Sequence, residues 1–255
     1  MESPVTLAEA LGVDAGDVVA FIGAGGKTTA MFRVAGDLAA RGLRVIVTTT
    51  TKIFPPEPSD IELIVEEGSG DALASGVTAA LGRRHVVVVV ARKLPDGKLQ
   101  GVHLEDIGTL RRISNVTAVL VEADGSARKP FKAPAEHEPV IPRETTLLVA
   151  VVGAEALNQP LSVELVHRPE RAAEQAGITM GDRVTPHVAA RIIFGQGNLR
   201  GRPAGARLAA LITQVTTAAR REAAVELAHL LHAGGACPVV LAELVAEPRF
   251  IECAS

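Results

Sequence analysis

Gly23-Ala24-Gly25-Gly26-Lys27-Thr28-Thr29 is the stretch whose residue types best suit phosphate chemistry. Glycines let successive backbone N–H groups converge on phosphate oxygens, and a helix that follows adds N-terminal donors and a favourable dipole. A lysine behind them reaches terminal phosphates and a hydroxyl completes a Mg2+ shell, the roles expected of Lys27 and Thr28. The strict spacing G-x-x-x-x-G-K-[ST] fails by one residue, because Phe21 of an apolar run stands where its first glycine belongs. The loop reads as a shortened phosphate loop. Its seven residues, Gly23, Ala24, Gly25, Gly26, Lys27, Thr28 and Thr29, are the expected nucleotide-binding set.

Three further clusters have residue types that would complement such a loop. Thr48-Thr49-Thr50-Thr51-Lys52 ends an apolar strand pattern, and the carboxyl ends of parallel strands face the ligand crevice. Thr50, Thr51 and Lys52 are therefore expected on the substrate side. Thr117–Val121 is an apolar run ending in Glu122-Ala123-Asp124-Gly125-Ser126, and a carboxylate at a strand tip can hold Mg2+ opposite a phosphate-loop hydroxyl. Asp124 is the expected metal-side carboxylate with Thr28, and Glu122 the group that polarises a water or holds a substrate hydroxyl. The stretch from Ala127 to Pro142 is rich in proline and base and contains Glu136-His137-Glu138. Lys132 or Arg128 would stabilise charge on a transferring phosphoryl group, while His137 and Glu138 would bind a second substrate or a metal. Lys27, Glu122, Asp124 and Lys132 form the expected catalytic set.

The elements that must position these residues alternate between short apolar runs and helical patterns. Strands are expected near 18–22, 43–47, 61–65, 86–91, 117–121, 146–152, 208–215 and 238–241, the run at 86–91 being wholly apolar as in a sheet covered on both faces. Helices are expected from 27 to about 40 and over 71–81, 103–112, 170–176, 185–194 and 218–233, with an exposed hairpin at 93–101 turning at Asp96-Gly97. Pro55-Pro56 is expected to stop regular structure. The fold class is α/β: a three-layer, mostly parallel sheet with helices on both faces, of P-loop NTPase type. Residues 1–255 form one nucleotide-binding domain, with 1–17 a helical cap over a sheet edge or the cleft mouth, and 125–142 and 195–205 active-site loops. His103 is a candidate for the ligand's vicinity or a helix cap. Arg200 and Arg202 are candidates for helping with phosphate.

Composition removes other classes. A formal charge of −3 gives no reason to expect nucleic acid or an anionic membrane as partner. Aromatic content of 2%, with no Trp or Tyr, argues against a base-stacking surface for single-stranded nucleic acid. Two cysteines supply neither a disulfide framework nor metal spacing, and no apolar stretch has the length of a membrane span, so a cytoplasmic protein is expected. Thr213-Gln214-Val215-Thr216 lacks the lysine and the guanine-reading aspartate of the GTPase Asn/Thr-Lys-x-Asp signature, which favours ATP or a less selective site, with GTP still open.

In spacing, the loop resembles those of the Mur ligase and folylpolyglutamate synthetase group. Taken with Val47–Lys52, Glu122–Ser126 and Lys132-Ala133-Pro134-Ala135-Glu136-His137-Glu138-Pro139-Val140-Ile141-Pro142, it resembles the YqeC family over about residues 18–245. Phe131 departs from the more usual leucine before the lysine, an apolar exchange. Members are described as accessory proteins for selenium-dependent molybdenum hydroxylases. The resemblance implies a Mg2+- and ATP- or GTP-dependent step in maturing such an enzyme, with a molybdenum hydroxylase or a molybdenum cofactor intermediate as partner. A kinase for a small cofactor precursor and a non-catalytic, nucleotide-gated carrier of a metal cofactor are the alternatives. A dinucleotide redox enzyme is disfavoured by Lys27-Thr28-Thr29 directly after the glycines.

Overall fold

A computed structural model describes residues 5–54, 62–65 (backbone only), 70–195, 197–245 and 250–254. In chain order the strands are β1 (Asp17–Gly23), β2 (Val45–Thr49), β3 (Lys52–Ile53), β4 (Glu62–Val65), β5 (Val86–Val90), β6 (Arg92–Lys93) and β7 (Leu99–Gln100). They continue with β8 (Ala118–Glu122), β9 (Phe131–Lys132), β10 (Leu147–Gly153), β11 (Val166–His167), β12 (Arg207–Thr213), β13 (Val239–Glu243) and β14 (Phe250–Cys253). The helices are α1 (Leu7–Ala10), α2 (Lys27–Ala40), α3 (Asp71–Leu81), α4 (Leu104–Arg112), α5 (Pro169–Ala176), α6 (Pro186–Ile193) and α7 (Ala218–Ala233). Pro55-Pro56, residues 1–4 of the expected cap, residue 61 of the strand expected near 61–65 and residue 196 of the loop expected at 195–205 lie outside the described residues.

Nine strands form one sheet in the order β14-β13-β12-β10-β1-β8-β2-β5-β4, parallel throughout except for β14. The apolar runs explain why. β5 is five consecutive valines, all buried, and such a run is stable only with cover on both faces. Alternation divides the side chains. Val19 and Phe21 of β1 pack with Met31, Val34 and Leu38 of α2, whereas Ala20 and Ile22 face the opposite layer with α6 and α7. Right-handed crossovers account for that division. The β1-α2-β2 connection runs towards β4 and puts α2 on one face. Those through α3, α4, α5–α6 and α7 run the other way and put these helices on the other.

This reversal makes the carboxyl ends of β1 and β10 the sheet's switch point, where ligand crevices form in open α/β sheets. The chain leaving β8 must cross β1 to reach β10, so it carries residues 123–146 past the turn that follows β1. The fold thereby brings two distant sequence clusters together.

The short N-terminal helix forms, capped by Thr6, whose hydroxyl accepts from Glu9 N at 3.3 Å. It does not cover the cleft mouth. Leu7 N and Ala8 N donate to Asp37 Oδ2 at 2.8 and 3.2 Å, near the end of α2 opposite Lys27, and α1 also packs on edge strand β14. An acidic side chain at the α1 N terminus is a favourable dipole partner, and Asp37 fixes the location. The expected hairpin is present as β6 and β7, and Lys52-Ile53 adds a third strand to it. Among the described residues, no helix is long and apolar enough to cross a membrane.

Candidate phosphate and metal site

The turn after β1 is pinned by its neighbours, and the N–H groups of Ala24 and Gly25, expected to converge on phosphate, are engaged by backbone carbonyls. Ala24 N donates to Val151 O at 2.9 Å and Gly25 N to Lys129 O at 3.1 Å, while the Thr213 hydroxyl donates to Gly25 O. Gly25 has φ +93°, and a Cβ there would lie 2.2 Å from Gly153 N, so glycine is required for the close approach to β10. Gly26 is the N-cap of α2 in a left-handed conformation, and no side chain caps the helix. The first N–H groups of α2 thus point outward without an intrahelical acceptor.

The acidic strand end meets this turn. β8 is the direct neighbour of β1, with Glu122 in register with Phe21 on one side and Thr49 on the other. The Thr28 hydroxyl donates to Glu122 Oε2 at 2.8 Å. Asp124, two residues beyond, turns beneath the loop and accepts from Gly23 N at 2.9 Å. The sequence reading pairs Thr28 with Asp124; the structure brings Thr28 to Glu122, because the strand holds Glu122 at the crevice while Asp124 has left the strand. Lys27 Nζ donates to Gly23 O at 2.6 Å and lies 3.2 Å from Asp124 Oδ1 and 4.0 Å from Glu122 Oε1.

Lys132 links this centre to a second layer of charge. Its buried ammonium lies 3.0 Å from Asp124 Oδ2, 2.6 Å from Gly125 O and 2.7 Å from Glu138 Oε2. Arg168 then grips Glu138 with both terminal nitrogens, at 2.8 and 3.2 Å. The sequence Arg168–Glu138–Lys132–Asp124–Lys27–Glu122 alternates in sign, which is how so many charges can sit together with little solvent. Lys132, expected to face a phosphoryl group, is committed to carboxylates instead.

Burial pushes the Glu122 carboxyl up, against the opposing pull of Lys27 and the Thr28 hydrogen bond. Burial also pushes Glu138 up, but hydrogen bonds and charge from Arg168 and Lys132 outweigh it and hold the group at about 2. His167, half-buried beside them, is lowered by burial and then by the nearby Arg168 and Lys132. Asp124 Oδ1 is buried and makes no hydrogen bond; Lys27 is near enough for charge attraction but not aligned to donate.

The threonines divide between two jobs. Thr49 Oγ1 donates to Glu122 O at 2.8 Å and Thr50 Oγ1 to Val140 O at 2.8 Å, tying the β2 tip to β8 and to the loop that follows it. Thr51 is half-buried, its hydroxyl 3.1 Å from that of Thr49. Lys52, Arg128 and His137 are exposed. Arg128 rests 4.3 Å over the Phe54 ring, joining the 125–130 loop to the end of the Thr50–Phe54 segment. His137 therefore parts from Glu138, which is buried, and among the described residues no three His, Cys, Asp or Glu side chains are grouped as a metal site. Arg202 folds back onto Ala206 O and Arg200 donates to Glu136 O, so the loop near 200 braces the loop near 136. His103 is the exposed N-cap of α4 and makes no capping hydrogen bond.

Arg168 is the principal residue missed from sequence. It sits in a left-handed N-cap ahead of Pro169, and an Arg-Pro pair opening a helix gives no hint of a carboxylate 30 residues away.

Fold and site together define an α/β protein with a glycine-rich turn and paired carboxylates at the switch point of a largely parallel sheet. A family model described as YqeC protein matches residues 19–170, more than half of the chain. The chain is also 34% identical to uncharacterized protein YqeC of Escherichia coli (strain K12) over 191 residues, 74% of this chain and 73% of that protein. It belongs to the YqeC family.

Proposed function

We propose that this protein binds a nucleoside triphosphate with Mg2+ and hydrolyses it or transfers its terminal phosphoryl group. One juxtaposition supports the reading: Lys27 and Thr28, opening an uncapped helix, face Glu122 and Asp124 across two adjoining parallel strands. The residues suit both ligands. The α2 N terminus offers N–H groups and dipole to phosphate. Thr28, Glu122 and the orphaned Asp124 Oδ1 offer the hard oxygen donors that Mg2+ prefers.

When bound, Mg2+ would neutralise charge that builds on the phosphate oxygens. The protein's own contribution is position and field. Lys27, now on Gly23 O and Asp124, would turn to the phosphate chain, since a multiply charged anion outbids a carbonyl for an ammonium. Lys132 and Arg168 would keep Asp124 and Glu138 ionised and in place. Arg128, exposed and resting on the Phe54 ring, is a cation that would have to leave that ring to meet the transferring group. The coupled partner we propose is a molybdenum hydroxylase, of the selenium-dependent kind implied by the resemblance, or a molybdenum cofactor intermediate.

Calorimetric titration of Lys27→Ala with ATP and with GTP, each with Mg2+, tests the reading. Affinity should fall about 10- to 100-fold, the range for losing a charged hydrogen bond. Unchanged affinity for both nucleotides would overturn it.

A further inference from the structure

The two engaged N–H groups of the phosphate loop have acceptors of different kinds. Ala24 N donates to Val151 O of central strand β10, so that contact belongs to the sheet. Gly25 N donates at 3.1 Å to Lys129 O, which belongs to the connection between β8 and β9. A carbonyl oxygen on Gly25 N takes the donor that a phosphate oxygen would use.

The piece that covers the loop is short and fixed at both ends. Asp124 is fully buried, and Lys132 Nζ donates to Gly125 O at 2.6 Å. Pro130 is buried and its carbonyl accepts from Gly153 N at 2.9 Å. Between them residues 125–129 reach outward, with Ala127 and Arg128 exposed. Lys129 N donates to Ser126 O at 2.9 Å, closing a turn whose central residues, Ala127 and Arg128, have φ +48° and +59°. Two successive left-handed residues suit glycine or asparagine, so alanine and arginine make this turn costly. Two contacts offset that cost. Arg128 lies 4.3 Å over the Phe54 ring, and Lys129 Nζ donates to Glu164 O at 2.9 Å.

We infer, on the premise of the nucleotide reading above, that residues 125–129 are an inhibitory strap across the phosphate loop. Phosphate binds when Lys129 O leaves Gly25 N and the strap swings out between its fixed ends at Asp124 and Pro130. The observed affinity is then the intrinsic affinity multiplied by the fraction of molecules with the strap open. The backbone cost of the turn favours opening, and the Phe54 and Glu164 anchors oppose it.

Two substitutions should move that balance in opposite directions. Phe54 is exposed and has no part in the phosphate or metal chemistry above. Phe54→Ala removes the anchor under Arg128 and should tighten binding of Mg2+-ATP, Mg2+-GTP and inorganic tripolyphosphate alike, by about threefold, the scale of an exposed cation–π contact. Ala127→Gly relieves the closed turn and should weaken binding of all three by about threefold, glycine's greater freedom in the open strap offsetting part of the relief. Calorimetry measures these affinities, and circular dichroism checks that both variants are folded. Hydrogen exchange at the Gly25 amide, followed by NMR without ligand, reads the strap itself: it should speed up in Phe54→Ala and slow down in Ala127→Gly. Because no phosphate is present, an Arg128 freed to meet one cannot mimic that result. Exchange that shifts while affinity stays constant would show a strap that does not gate the loop, and exchange unmoved in both variants would show one not held by these contacts; either overturns the inference while leaving phosphate binding intact. Failure of all three proteins to bind any of the three ligands would instead remove the nucleotide reading, and the strap's inhibitory role with it.

Discussion

The Thr28 hydroxyl and the Glu122 carboxylate, 94 residues apart in sequence, meet at 2.8 Å where α2 begins and β8 ends. A hydroxyl at a helix N terminus and a buried strand-end carboxylate are the two groups a phosphate-bound Mg2+ would share. Their contact keeps both side chains oriented towards one point.

Glu122→Gln should separate metal binding from folding. Because burial raises this carboxyl, its ionised form is disfavoured in the folded state, and that cost applies above the folded pKa and fades as pH falls through it. A neutral amide removes the cost and can still accept from Thr28. The variant should melt no lower than wild type at neutral pH, yet lose at least tenfold of the affinity gain that Mg2+ gives a nucleotide. Titrations in Mg2+ and in EDTA check this; an undiminished Mg2+ enhancement would count against Glu122 as a ligand.

Lys132→Met should strike stability first. The ammonium is shared by Asp124 and Glu138, both buried, and a buried ion pair that loses one partner typically costs about 3–5 kcal/mol. Asp124 keeps the Gly23 N–H and Glu138 keeps Arg168, so the lower end, about 3 kcal/mol, is expected. Urea denaturation of Lys132→Met, Glu138→Gln and the double variant would measure it. A loss under about 1 kcal/mol would mean that Lys132 is not the keystone of this charge row.

Two neighbouring glycines offer a contrast. Gly25 and Gly26 both have positive φ, but a Cβ on Gly26 meets nothing within 4 Å, whereas one on Gly25 strikes the β10 backbone. Gly26→Ala should carry only the conformational penalty of about 1–2 kcal/mol. Gly25→Ala must also push the loop off β10, and should lower the melting temperature further and abolish nucleotide binding. Equal effects from the two substitutions would contradict the close packing.

Much of this arrangement is legible in the sequence because it is local. The glycines ahead of Lys27-Thr28 report their own turn, the five valines of β5 report cover on both faces, and Glu122 and Asp124 announce an acidic strand end. What sequence conceals is which side chain wins each long-range partner. Asp124 reads as the metal carboxylate, yet its position past the strand end turns it under the loop to Gly23 N. Glu138 reads as a substrate group beside His137, but Arg168 and Lys132 draw it inward. The Lys129 carbonyl carries no sequence signal at all; only the crossing of the chain from β8 to β10 puts it on Gly25 N.

The Glu138–Arg168 contact makes acid stability a test of the outer charge layer. The folded carboxyl sits at about 2, below its ordinary value near 4.3, so its stabilisation is complete above the unfolded value and is lost as pH falls towards the folded one. The full shift would correspond to about 3 kcal/mol, and solvent screening at the edge of the cluster reduces the expected contribution to about 1–2 kcal/mol. Glu138→Gln should therefore be less stable than wild type by that amount at pH 7, and the gap should close between pH 4.5 and 2. Arg168→Ala should behave similarly, since it strips the bidentate half of the contact and leaves Lys132 to hold Glu138 alone. Thermal melts of the three proteins at half-unit pH steps measure the gap. A constant difference across the acid range would assign the loss to packing around residue 138 and not to its charge.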